Sequence, residues 1–74
     1  MSRTRRMNAD EVEKILQRYG FVLISQKGSH RKWRNRERQL QVIVPYHKSR
    51  DLPIGTLRNI MTSAGIPNSE WKTE

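Results

Sequence analysis

The chain has 74 residues, room for one compact domain with a modest core and a shallow site. It has no cysteine and two histidines, which rules out a disulfide framework or thiolate metal cluster and makes a poor metal site, and no apolar run reaches the length of a membrane span. Fifteen Lys and Arg against seven Asp and Glu give a formal net charge of +8. A field of that sign attracts polyanions, with nucleic acid ahead of a membrane surface because no strongly amphipathic basic helix is present.

Residues 1–6 carry basic side chains and nothing apolar after the initiator, so they are expected to form a mobile basic arm ahead of a single domain over 7–74. With no apolar stretch behind those basic residues, the chain does not read as secreted, and the expected location is the cytoplasm. Asn8 followed by Glu11 is a capping-box pattern, and Val12, Ile15, Leu16 and Tyr19 share one helical face that Gly20 closes.

From Phe21 to Ile24 the chain is apolar and partly β-branched, and it runs through Lys27 to Gly28-Ser29, a pair suited to a type II′ hairpin turn. His30 to Asn35 is the expected second strand, Arg36-Glu37-Arg38 a turn, and Gln39 to Val44 a third strand ended by Pro45. After a polar connection, Tyr46 to Asp51, Pro53 is expected just inside a second helix whose apolar positions are Leu57, Ile60, Met61 and Ala64, with Gly65 as its stop. Pro67 confirms the break, and Trp71 in a final turn is expected to cover part of the core. The predicted fold is α+β, in the order α-β-β-β-α, with a three-stranded antiparallel sheet and both helices on one face.

A two-residue turn at Gly28-Ser29 places Ile24 opposite Trp33 and Lys27 opposite His30. Val22, Ile24 and Trp33 then share the covered face. His30, Lys32 and Arg34 point the other way, beside Lys27, so that an imidazole ends a row of cations on an open surface. A neutral imidazole can take the proton from a ribose 2′-hydroxyl, and neighbouring cations can stabilise the charge that develops at the attacked phosphate. Lys27, Gly28, Ser29, Arg31, Lys32, Arg34, His47 and Lys48 are the candidate RNA contacts, with His47 either a second proton-transfer group or an ordinary loop histidine. Judged on spacing alone, a histidine after a Gly-Ser turn is more often a surface hairpin residue than a catalyst. The same residues therefore also fit a non-catalytic nucleic-acid-binding module, or a basic adaptor that docks an acidic protein.

Four blocks in order resemble the HicA family of toxins from toxin–antitoxin pairs. They are Leu16-x-x-x-Gly20-Phe21, Gln26-Lys27-Gly28-Ser29-His30, Val44-Pro45-x-His47, and Leu52-Pro53-x-Gly55-Thr56-Leu57-x-x-Ile60 followed by Ala64-Gly65-Ile66. The resemblance implies a fold like the double-stranded-RNA-binding domain and cleavage of messenger RNA without a metal or other cofactor. It also implies His30 as the catalytic group and a HicB-like antitoxin as the inhibiting partner. Trp33 stands where the resemblance leads one to expect a smaller residue.

Overall fold

The computed structural model describes residues 3–73, with side chains described for residues 5–71. Helix α1 (Ala9–Arg18) begins at a complete capping box, in which the Glu11 N–H donates to Asn8 Oδ1 and the Asn8 N–H to Glu11 Oε1, both at 2.9 Å. Two of the donors that every helix start leaves without a partner are satisfied there. Strands β2 (Val22–Lys27), β3 (His30–Asn35) and β4 (Leu40–Pro45) form an antiparallel meander in the order β2-β3-β4, and helix α2 (Ile54–Ala64) follows. Pro53 is the N-cap of α2 rather than its first residue, and Gly65 closes the helix in the left-handed conformation that glycine reaches without a Cβ clash.

The predicted α-β-β-β-α order and its three-stranded antiparallel sheet are therefore present. Helix α2 packs mainly on β4, and the core lies between the two helices and one face of β3 and β4. Val12, Ile15 and Leu16 of α1 meet Trp33, Val42 and Val44 of the sheet and Leu57, Ile60 and Ala64 of α2. Trp71, after a 3₁₀ turn at Asn68–Glu70, is fully buried in this core, as its position at the end of the chain predicts.

Two further expectations are corrected. The amino-terminal segment is not free along its length: Arg3–Thr4 (β1) pairs antiparallel with Lys72–Thr73 (β5), and the Arg5 N–H donates to the Trp71 carbonyl at 2.9 Å. Met1 and Ser2 of the expected arm lie outside the described residues. Partners for the arm come from the far end of the chain, a pairing that local sequence cannot reveal.

The second correction concerns β2. Its register starts as expected, with Lys27 opposite His30, Gln26 opposite Arg31 and Ser25 opposite Lys32, but a bulge at Ile24 then sets Leu23, not Ile24, opposite Trp33. An inserted residue shifts the alternation that assigns side chains to faces. Moreover, β2 is an edge strand beyond the reach of the helices, so Val22, Leu23 and Ile24 are 52%, 43% and 41% exposed and do not join Trp33 in the core.

Candidate active site

The β2–β3 turn has a positive φ of 59° at Gly28 and none at Ser29, the sign pattern of a type II′ turn. That tight turn delivers His30 as the first residue of β3, exposed and paired across the ladders with Lys27 on one side and Pro45 on the other. Alternation along β3 carries Lys32 and Arg34 to the same open face, each partly exposed. His30, Lys27, Lys32 and Arg34 thus meet on one surface, as predicted.

Arg31 does not belong to that surface. It points to the helix-covered side, where its guanidinium pairs with Glu13 at 2.8 Å and lies 3.8 Å over the centroid of the Tyr46 ring. Trp33, two residues on, donates its indole N–H to the other oxygen of Glu13 at 2.9 Å. Glu13 is buried, and a buried carboxylate persists only when its oxygens are satisfied. The unexpected tryptophan and the displaced arginine are two halves of one arrangement that pins β3 to α1.

Ser29 is half-buried, and its carbonyl accepts from the Tyr46 N–H at 2.6 Å. The Tyr46 hydroxyl donates to Asp10 at 3.3 Å, a bond that raises the phenol above its ordinary range. Both ends of Tyr46 are therefore anchored.

His30 also lines a hollow of about 260 Å³ between the outer edge of β4 and α2, together with Ile43, Pro45, Thr56, Asn59 and Ser63. His47 and Arg50 line an adjoining hollow of about 270 Å³ that shares Pro45 and Thr56 with the first. His47 and Lys48 are exposed, off the sheet, so the two histidines flank Pro45 from neighbouring hollows rather than sharing one. At the opposite end of β3, Arg34, Arg36 and Arg38 line a third hollow of about 310 Å³. Arg36 and Arg38 belong to the expected turn Arg36-Glu37-Arg38, at the end of the basic segment that runs from Lys27, and Glu37 lines the same hollow.

A site with one exposed imidazole, a row of cations and an uncharged groove beside it can hold a phosphodiester and move a proton at it. Among the described residues, no helix is long and apolar enough to cross a membrane. No curated protein matches the chain. The family model described as the HicA toxin of bacterial toxin–antitoxin systems matches residues 9–66, from the first residue of α1 to the residue after the α2 cap, and spans the hairpin that presents His30. The chain belongs to the HicA toxin family of bacterial toxin–antitoxin systems.

Proposed function

We propose that this toxin is an endoribonuclease that cleaves messenger RNA in the cytoplasm, with His30 as its proton-transfer group. The observation that carries the reading is the placement of His30 opposite Lys27, in line with Lys32 and Arg34 on the open face of the sheet. The cations hold phosphates, and the imidazole removes the proton from a ribose 2′-hydroxyl. That oxygen attacks the adjacent phosphorus, the 5′-oxygen of the next nucleotide leaves, and the protonated imidazole returns a proton to it. The products are a 2′,3′-cyclic phosphate and a free 5′-hydroxyl, and the steps are complete without a metal or cofactor. Lys27 and Lys32 stabilise the extra negative charge on the pentacoordinate phosphorus. Ser29, in the turn, offers a hydroxyl and Gly28 close backbone approach to a phosphate, while His47 and Lys48 extend the contacts past Pro45.

The inhibiting partner is a HicB-like antitoxin that covers His30. Its surface is acidic where it meets Lys27, Lys32 and Arg34, and apolar where it meets the exposed Val22, Leu23 and Ile24 of β2. Controlled expression in a bacterial host tests the reading. Wild-type protein is expected to arrest growth and deplete messenger RNA, His30→Ala is expected to do neither, and arrest by both proteins contradicts it.

A further inference from the structure

The groove beside His30 differs from the rest of the surface in a way the cleavage reading does not use. The cations of the hairpin lie on the face of the sheet, whereas the hollow between β4 and α2 has no charged side chain in its lining. Thr56, Asn59 and Ser63 recur at intervals of three and four residues, which puts them on one stripe of α2. Among the described residues, none of these three side chains is engaged in a hydrogen bond. The other wall is formed by Gln41, by Ile43, which is 44% exposed on the open face, and by Pro45, and the floor by the buried Val42 and Ile60.

Resting on the reading of His30 as the cleaving group, we infer that this groove seats a base flanking the cleaved phosphate of single-stranded RNA, and that Asn59 reads its edge. Phosphates go to the cations and the uncharged part of the nucleotide goes to the uncharged groove, the usual division between contacts that position and contacts that specify. Single-stranded RNA can turn an unstacked base out into such a seat. The flat apolar wall of Ile43 and Pro45 packs against the base plane. A carboxamide offers one donor group and one acceptor side by side, so Asn59 can pair with a base edge that presents the complement, while the Thr56 and Ser63 hydroxyls hold the ends of the stripe. Discrimination then arises from Asn59 and affinity from Lys27, Lys32 and Arg34.

The test uses the full chain and a set of short single-stranded RNAs that differ only in the nucleotides on either side of one cleavage position. Wild-type protein is expected to discriminate by about tenfold or more in kcat/KM at one of those two positions, the order of effect one bidentate contact supplies. Asn59→Ala is expected to level the preference. Asn59→Asp presents two acceptors and no donor, and is expected to shift the relative preference toward guanine, whose edge carries two adjacent donors. A second arm does not depend on cleavage: the four nucleoside 3′-monophosphates are titrated into His30→Ala protein and followed by NMR. The Asn59 side-chain amide and the Thr56 and Ser63 backbone signals are expected to move with the nucleotides and not with inorganic phosphate, which is expected to move the hairpin alone. If the α2 signals move while His30→Ala still cleaves, the base seat stands and the catalytic assignment falls. If Asn59→Ala keeps the wild-type preference, or nucleotides move only the hairpin, the base seat is overturned whatever His30 does.

Discussion

The backbone N–H of Tyr46 donates to the carbonyl of Ser29 at 2.6 Å, one residue past Pro45, which faces His30 and has no N–H to give. Tyr46 therefore supplies the last bond between the end of β4 and the turn that presents the imidazole. Its ring stacks on Arg31 and its hydroxyl reaches Asp10, so the turn is tied to α1 through one side chain.

Tyr46 thus acts as a positioning residue. Tyr46→Ala is expected to lower kcat for RNA cleavage several-fold with KM little changed, and to cost roughly 1 kcal/mol of stability from the lost cation–π stack. Tyr46→Phe keeps the ring and is expected to keep most of the rate. Equal loss in both variants, or none in the alanine variant, contradicts the positioning role.

Glu13 is buried and held between Arg31 and Trp33, so its removal is expected to be costly. Glu13→Ala leaves a partly buried guanidinium uncompensated and an indole N–H without its acceptor. The expected loss is on the order of 3 kcal/mol, since breaking a buried pair strands its partner. Urea unfolding measures it, and a loss no larger than that of an exposed Lys14→Ala control contradicts the account.

Salt dependence separates the cations by role. RNA binding is expected to weaken steeply with salt, and each phosphate contact removed, by Lys32→Gln or Arg34→Gln, is expected to reduce the logarithmic slope by about 0.7. Arg31→Gln is expected to destabilise the fold without that change in slope, because Arg31 faces Glu13. A slope that falls with Arg31→Gln in folded protein contradicts the division.

The carboxyl-terminal turn gives a pH prediction. The Tyr19 hydroxyl donates to Glu70 at 2.6 Å and Arg18 pairs with it at 2.7 Å. The tyrosine bond, helped by the Arg18 charge against opposing desolvation, lowers the Glu70 carboxyl below its ordinary range. A carboxyl lowered in the folded state contributes stability above its unfolded value, and that contribution is lost as pH falls through the folded value. Wild type is expected to exceed Glu70→Gln in stability at neutral pH and to converge with it in acid. The same bond raises Tyr19, so its contribution is complete below the ordinary phenol range and fades as pH rises through the folded value. A constant gap between the two proteins in denaturant titrations from neutral pH into acid contradicts the linkage.

Elements whose causes are local were legible in the sequence. Asn8 and Glu11 specify the start of α1 within four residues, Gly65 the end of α2, and Gly28-Ser29 a turn that fixes Lys27 opposite His30. Features that depend on distant partners were not legible. The bulge at Ile24 leaves no mark in the alternation of Val22 to Lys27, and exposure of β2 depends on where the helices end. Alternation already sets Arg31 on the Trp33 side, away from Lys32, but its partner Glu13, eighteen positions earlier, is not legible. The polar stripe of Thr56, Asn59 and Ser63 was visible at helical spacing, but only the packing of α2 along β4 brings it beside His30.

The most direct test of the central claim is the initial cleavage rate of a short RNA by wild-type protein and by His30→Ala, measured with a chelator present and with binding measured in parallel. The account predicts that His30→Ala slows cleavage by about 10²–10⁴, the usual worth of proton transfer, with RNA affinity nearly unchanged. Wild type is expected to leave a 2′,3′-cyclic phosphate and to spare a substrate with 2′-deoxyribose at the cleaved position. Equal rates for His30→Ala and wild type contradict the assignment.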